Sequence, residues 1–418
     1  MNNENQILFE ELLSPLEEPL QEIEATRKKH HREILEFPLF VRTLIYYFVF
    51  NLQSGRQLVA CTKSVDETLS LSSIKKSTFF DAFNRFPAAW FAKLFGVVLS
   101  SIVWKEIPEL ALLGKLYVID GSIFPAISKM CWAEYKAKCP AIKLHLCFEL
   151  NRMLPINFLI DTGNSNERDA LRNMLEAGVT YIADRGYVCF QLFQEIVEKQ
   201  AYFVIRVKKN LQYETTETLS ASIPDTFSRF FSNVTDQLVS LTNSTHEYTY
   251  RLVTFDVGST RYLILTNRRD LSTFQIILLY AYRWQVELIF KFLKHSMNGL
   301  HLITHSPQGL TIQFYMLLTT ALLQLRLKQL CVAKIEENEL LESSFLSLKS
   351  TPQSSQSSQS GPSEPLSSTT SSRGQTFMVT IGEKLHQYWK VSSEWLLHLR
   401  NLLAKPFDSR TLQLLAET

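Results

Sequence analysis

The stretch KLYVIDGS, at residues 115–122, carries the pattern on which the fold prediction rests. Its first six residues have the composition of a strand, which is predicted to end at Asp120, before Gly121 and Ser122. Two further apolar segments follow, KLHLCFEL at 143–150 and PINFLID at 155–161, with a polar turn between them. They predict two more strands, and we expect the three strands to be antiparallel neighbours.

Helical and strand patterns alternate in the next part of the chain. NERDALRNMLEAG at 166–178 predicts a helix that ends near Gly178, and TYIAD at 180–184 predicts a strand that ends at Asp184. A helix over 190–200 and a fifth strand, AYFVIRV at 201–207, come next. The order of three strands, helix, strand, helix, strand matches a ribonuclease H-like α/β core with a mixed sheet.

The core prediction extends to residue 332. Residues 208–259 are rich in Thr, Ser, Val and Tyr, which predicts a β-rich insertion. After it, RYLILTN at 261–267 returns to strand character, and residues 271–297 are predicted to form one helix. A further apolar helix over 310–332 completes a core that spans 113–332.

The regions on either side of this core differ from it in composition. Residues 1–112 predict an all-helical N-terminal region. Within it, SSIKKSTFFDAF at 72–83 fits either a DNA-binding helix-turn-helix or an ordinary helical hairpin. Residues 343–375 are predicted to be a flexible linker, because residues 343–372 contain 14 serines in 30 positions. Residues 376–418 predict a C-terminal helical segment.

Composition places the chain among globular proteins. Its 418 residues are 46% hydrophobic, and a formal net charge of only +2 does not by itself imply nucleic-acid binding. The six cysteines include no C-x-x-C pair and no cluster at zinc spacing. No signal peptide is visible, and the apolar stretch 37–52 is short and contains Arg42, which favours a buried helix. We therefore expect a cytoplasmic protein.

One polar stripe stands out on the helix predicted over 271–297. Tyr280, Arg283, Glu287 and Lys294 fall inside an arc of about 60° at 100° per residue, and we call these four residues the polar stripe. The other side of the helix is apolar, with Val286, Ile289, Phe290 and Leu293. The helix is therefore expected to bury its apolar side and to present the polar stripe to a polyanionic substrate.

Glu287 and the two aspartates at predicted strand ends, Asp120 and Asp184, form a candidate metal site. Carboxylates at strand ends face the crevice where α/β sheets hold ligands, and hard cations such as Mg²⁺ or Mn²⁺ prefer carboxylate oxygen. Two such ions can support phosphoryl transfer. Each acid also has an ordinary interpretation, because an acid after a strand is often a turn residue, as is expected of Asp161. An Arg283–Glu287 pair is often a solvated ion pair within a helix.

The combined motifs resemble those of a known family. The spacing Tyr280-x2-Arg283-x3-Glu287-x6-Lys294 is similar to the Y-R-E-K signature of the IS4 family of DDE transposases. VIDGS around Asp120 and ADRGY around Asp184 resemble that family's other two acidic motifs, in the right order. The resemblance covers roughly residues 113–330 and includes YFVIRVKKN at 202–210.

This resemblance implies a ribonuclease H-like catalytic core with a β-strand insertion between the second aspartate and the glutamate. It implies that Asp120, Asp184 and Glu287 bind Mg²⁺ or Mn²⁺, as two ions, and are catalytic. It also implies that Tyr280, Arg283 and Lys294 contact DNA phosphates. The implied reaction cuts DNA at the terminal inverted repeats of an insertion sequence and joins the 3′ ends to target DNA. The implied setting is the bacterial nucleoid, with a homodimer or larger assembly on the DNA.

Two other functions remain open at this stage. A metal-dependent nuclease of the same fold would cut DNA without joining it, and a catalytically silent DNA-binding regulator would bind without cutting. Retention of all three acids favours an active enzyme. The serine-rich linker departs from the family pattern.

Overall fold

The computed structural model of the protein describes residues 3–349, except 30, 32, 65–70, 72, 103–107, 127–128, 131, 134, 136–138, 229, 243–247 and 298. The predicted helical segment over 376–418 lies outside the described residues. The first residues of the predicted linker, 343–349, lie in a helix that runs to Lys349. The rest of the predicted linker is outside the described residues.

A nine-stranded mixed sheet forms the centre of the fold, in the order β3-β2-β1-β4-β5-β9-β8-β7-β6. The strands are β1 (Lys115–Pro125), β2 (Ala141–Glu149), β3 (Leu154–Thr162), β4 (Val179–Ala183), β5 (Tyr202–Arg206), β6 (Tyr213–Leu219), β7 (Ser232–Leu241), β8 (Thr249–Val257) and β9 (Thr260–Thr266). Strands β1 to β3 are antiparallel neighbours, whereas β4 and β5 are parallel to β1. The five predicted core strands and the strand predicted at 261–267 are all present, and the β-rich insertion extends the same sheet.

The prediction that the first strand ends at Asp120 is wrong, because β1 continues to Pro125. Its pairing with antiparallel β2 persists as far as Pro125↔Ala141, while its pairing with parallel β4 stops at Val118↔Ile182. Asp120 therefore lies where β1 loses one of its two neighbours. The sequence pattern locates the end of the parallel pairing and misses the antiparallel extension.

Seven helices precede the sheet in the described part of residues 3–111. They are α1 (Asn3–Leu13), α2 (Glu17–Thr26), α3 (Phe37–Val49), α4 (Gly55–Ser64), α5 (Lys76–Arg85), α6 (Ala88–Ser101) and α7 (Pro108–Ala111). Helices α1, α3, α5 and α6 pack against the last helix of the described chain, which runs from Pro307 to Lys349. Their buried side chains belong to the same hydrophobic cluster as one face of the sheet.

The opposite face of the sheet is covered by two helices, α8 (Glu167–Arg172) and α9 (Phe190–Glu198), which bury a second apolar cluster. Helix α8 is shorter than the helix predicted over 166–178. The reason is the Tyr181 hydroxyl, which donates to Met174 O at 2.8 Å and accepts from Glu176 N at 2.7 Å, so it takes over backbone groups that a longer helix would pair. Gly178 then turns the chain into β4 with a φ of +76°.

The single helix predicted over 271–297 is divided in the structure. It consists of α11 (Thr273–Tyr282), α12 (Gln285–Lys291) and a π-helical turn, Phe292–Ser296. Helix α10 (Asp225–Ser228) is a short helix within the insertion. Helix α11 contacts β4, β5, β8 and β9, whereas α12 contacts β1, so the break lets the chain change neighbours. The predicted apolar side is buried, as expected, with Val286, Ile289, Phe290 and Leu293 at most 5% exposed.

The last helix, α13 (Pro307–Lys349), begins close to the predicted position and extends further. Its segment Pro307–Leu327 is long and apolar enough to cross a membrane, but 78% of its apolar window is buried inside the protein. Together with the surrounding α1, α3, α5 and α6, this burial identifies the segment as a core helix.

Candidate functional site

Asp120 and Asp184 lie side by side at the end of the parallel part of the sheet. The register of β1 with β4 ends at Val118↔Ile182. Asp120 follows Val118 by two residues, and Asp184 follows Ile182 by two residues. Neighbouring strands are about 4.8 Å apart, and residues two apart on a strand share a face. The two carboxylates therefore emerge near each other, where the parallel pairing ends.

Local hydrogen bonds orient both carboxylates. Asp120 Oδ1 accepts from the backbone N–H of Gly121 at 2.8 Å. Asp184 is the N-cap of a short 3₁₀ turn, Arg185–Tyr187, and its Oδ1 accepts from Gly186 N at 2.7 Å. In each case one carboxylate oxygen is used by the backbone, and the second oxygen is left for another partner.

Arg283 joins the third predicted acid to the first. Its guanidinium lies 3.4 Å from Asp120 Oδ2 and 2.9 Å from Glu287 Oε1. The Arg283 side chain is only 8% exposed, so both contacts are made in a largely dry environment. The intrahelical pair considered from the sequence is therefore present, and its arginine also reaches across to the sheet.

Burial and neighbouring charges both shift the pKa of Asp120. Burial raises the pKa of Asp120 to about 7, although Arg283 and the Gly121 N–H both act to lower it. The negative charges of Asp184 and Glu287 raise that pKa further. Burial is therefore the main cause of the raised pKa of Asp120, and the charge of Arg283 opposes it.

Lys294 and Tyr280 occupy different positions from those expected for a single straight helix. The π-helical turn directs Lys294 back toward β1, where its Nζ donates to Ser122 Oγ at 2.8 Å and lies 4.8 Å from the centre of the Phe124 ring. Tyr280 is beside Arg283, whose guanidinium is 5.8 Å from its ring, but Tyr280 is only 4% exposed. The proposed DNA contacts of these residues stay predictions.

The donor set at this site fits a hard cation. Asp120, Asp184 and Glu287 offer oxygen ligands only, and burial raises the pKa of Asp120 although the Arg283 guanidinium lies beside it. Within the described ranges, no three His, Cys, Asp or Glu side chains are placed to hold one metal ion. The Arg283 guanidinium contacts both Asp120 and Glu287, so it lies between these two acids.

Sequence reasoning missed several polar residues next to the two aspartates. Lys143 and His145 are two residues apart on β2 and therefore share one face of the strand. His145 is opposite Gly121 in the register with β1. Glu167, the first residue of α8, lies against Gly186 beside Asp184. The signal for the first two was available, because Lys143 and His145 interrupt an otherwise apolar strand at a spacing of two. Glu167 carries no comparable local signal.

Comparison with known proteins gives consistent matches. The family model described as the transposase DDE domain matches residues 113–323. The chain is 27% identical over 240 residues to a putative transposase, y4zB, of Sinorhizobium fredii (strain NBRC 101917 / NGR234), covering 56% of this chain and 66% of that protein. It is 25% identical over 233 residues to a putative transposase for insertion sequence element IS4SA of Synechocystis sp. (strain ATCC 27184 / PCC 6803 / Kazusa), covering 54% and 64%.

These alignments span just under two-thirds of the length of each relative. Among solved structures, the chain is similar to a piggyBac transposase in a synaptic complex with hairpin DNA. That match has a TM-score of 0.41 and 12% identity, and it covers 97% of this chain and 83% of the other.

Proposed function

This chain belongs to the transposase DDE-domain family, whose model matches half of its length, and we propose that it is a DNA transposase of the IS4 type. It cuts DNA at the terminal inverted repeats of an insertion sequence and joins the freed 3′ ends to target DNA. The observation that carries this proposal is that Asp120 and Asp184 each lie two residues beyond the last register pair of β1 and β4, Val118↔Ile182, with Glu287 connected to Asp120 through Arg283.

The catalytic core is proposed to be ribonuclease H-like. Three antiparallel strands, α8, parallel β4, α9 and parallel β5 follow one another in that order, which supports the assignment. The helices of residues 1–112 are proposed to contribute to DNA binding. Residues Lys75, Lys76 and Ser77, at the start of α5, are exposed and available for such a contact.

Asp120, Asp184 and Glu287 are proposed to hold divalent cations, Mg²⁺ or Mn²⁺, as two ions. When bound, such ions activate the attacking oxygen and stabilise the leaving oxygen of an in-line phosphoryl transfer. The residues of the chain itself orient the carboxylates for that chemistry. Backbone N–H groups of Gly121 and Gly186 fix one oxygen of each aspartate, so the second oxygen of each carboxylate is held in a constant orientation.

The cationic residues of the polar stripe are proposed to bind DNA phosphates. Lys294 is the better exposed, and its bond to Ser122 places an ammonium group two residues from Asp120 on β1. Arg283 presents a planar fork that matches phosphate geometry, although two of its nitrogens contact carboxylates. The Arg283 guanidinium lies over the Tyr280 ring, which makes a cation–π contact with it.

The partners and setting follow from the same proposal. The substrates are DNA ends and target DNA, and joining requires two ends to be held together, so we infer a homodimer or larger assembly on DNA. The place of action is the cytoplasm, on the bacterial nucleoid.

One experiment tests the function directly. The purified chain is incubated with Mg²⁺, a labelled linear DNA that carries the inverted repeats flanking its gene, and a target plasmid. We expect cleavage at the repeat ends and a joined product. Cleavage without joining would identify a nuclease, and binding without cleavage would identify a regulator.

Replacing Arg283 by alanine should increase the stabilisation that a divalent cation gives to the protein. Without Arg283, Asp120 and Glu287 lose their shared counter-charge, so we expect the free energy of unfolding without metal to fall by about 1–3 kcal/mol. Added Mn²⁺ should then raise the melting temperature of Arg283→Ala by more than that of the unmodified protein.

Arg172→Ala is a matched control for this prediction, because Arg172 also contacts two acids, Asp169 at 2.7 Å and Glu195 at 2.6 Å, away from the site. Its Mn²⁺ response should equal that of the unmodified protein. The same response in Arg283→Ala would contradict the idea that Arg283 offsets the charge of the metal ligands.

A further inference from the structure

Glu167 lies against the turn that holds Asp184. It is the first residue of α8, whose preceding Asn166 caps the helix by accepting from Arg168 N at 3.1 Å. A Cβ atom on Gly186 would overlap Glu167 Oε2 and would lie 3.3 Å from Asp184 Oδ1. Because both oxygens border the position of one absent side chain, the carboxylates of Glu167 and Asp184 face the same small space.

Lys143 holds Glu167 in this orientation. Lys143 Nζ lies 3.4 Å from Glu167 Oε1 and donates to Ser165 O at 3.0 Å. The aliphatic part of the Lys143 side chain passes over Gly121, because a Cβ atom on Gly121 would lie 3.2 Å from Lys143 Cδ. The hydrogen bond of Glu167 among the described residues thus uses Oε1, and Oε2 is directed toward Gly186 and Asp184.

Tyr187 provides an independent indication that a ligand belongs in this region. Its side chain is completely buried, and its hydroxyl has no hydrogen-bond partner among the described residues. Burial, followed by the negative charges of Asp120, Glu167 and Asp184, raises the pKa of Tyr187 well above its ordinary value. A buried donor without an acceptor is destabilising, and a polar ligand held by these acids would give it a partner.

We propose that Glu167 is a fourth acidic residue of the metal site, which binds a divalent cation through Oε2 together with Asp184. This inference rests on the proposed function, because it assumes the cation site of Asp120, Asp184 and Glu287. Lys143 then has a positioning role, as it fixes Oε1 and leaves Oε2 for the cation. The buried Tyr187 hydroxyl, on which the charges of Glu167 and Asp184 act, would then donate to an oxygen ligand of that cation.

The test measures Mn²⁺ binding by the full chain without DNA. Free Mn²⁺ is followed by electron paramagnetic resonance, and the affinity is measured separately by calorimetry. Glu167→Gln keeps the size of the side chain and an acceptor for Lys143, so the variant is expected to fold. Asp169→Asn is the control, because Asp169 is on the same helix, is 61% exposed and contacts Arg172.

We expect Glu167→Gln to weaken Mn²⁺ binding by about tenfold or more, since even residues that only orient metal ligands typically contribute that much. Asp169→Asn should bind Mn²⁺ as the unmodified protein does. Unchanged affinity in Glu167→Gln would overturn the inference. Asp184→Asn separates the two levels: if it weakens binding while Glu167→Gln does not, only the fourth ligand is wrong. If neither variant changes the affinity, the metal site itself is wrong and the inference falls with it.

Discussion

Asp184→Asn should lower the rate of Mg²⁺-dependent DNA cleavage by at least about 10³-fold while DNA binding is largely kept. Metal ions at such a site stabilise transition-state charge by several kcal/mol, and about 4 kcal/mol corresponds to that factor. Asparagine keeps the N-cap acceptor for Gly186 N, so the 3₁₀ turn should persist. The same loss is expected for Asp120→Asn and Glu287→Gln, because the three acids are proposed to act on one centre.

The measurement is single-turnover cleavage of a labelled repeat end, with a gel-shift assay for binding. Asp161→Asn is the matched control, since Asp161 lies at the end of β3, is exposed, and bonds only its own neighbouring backbone at Thr162 N within the described chain. It should cleave normally. Substantial Mg²⁺-dependent activity in any one of the three acid variants would rule out the proposed triad.

The strand pattern allowed much of this site to be predicted, because alternation and composition are local properties. KLYVID and TYIAD both become strands, and the parallel pairing of these strands brings Asp120 beside Asp184. The apolar side of the helix after residue 271 was equally accessible, since burial of Val286, Ile289, Phe290 and Leu293 follows from their spacing.

The remaining features depend on contacts between distant parts of the chain. The break between α11 and α12 arises from packing against different strands, which no local pattern encodes. The contact of Arg283 with Asp120 spans 163 residues. Glu167 approaches Asp184 because Gly186 lacks a side chain, which would overlap Glu167 Oε2. Such effects follow from tertiary structure, so the sequence yields the three acids and misses what surrounds them.

A second large effect is expected in the insertion. Asp236 on β7 is completely buried, and its carboxylate accepts from Arg251 Nε at 2.8 Å, from Arg251 Nη2 at 2.6 Å and from Thr273 Oγ1 at 2.7 Å. Because Thr273 is the first residue of α11, this network joins the insertion to the helix that leads to Arg283 and Glu287. Asp236→Ala should lower the free energy of unfolding by about 3–5 kcal/mol, since it leaves a buried guanidinium without its charge partner.

Asp256→Ala provides the comparison, because Asp256 contacts Arg261 at 3.3 Å on the same sheet but in a more exposed position, with Arg261 35% exposed. That substitution should cost about 1 kcal/mol or less in urea unfolding. The double variant Asp236→Leu/Arg251→Met should recover part of the loss, because it removes both charges together and leaves apolar side chains of similar size. Equal losses for Asp236→Ala and Asp256→Ala would show that the buried pair does not fix the insertion. If the pair does fix it, cleavage by Asp236→Ala should fall at temperatures below its melting transition, since the start of α11 would be loosened while Asp120, Asp184 and Glu287, the proposed catalytic acids, remained.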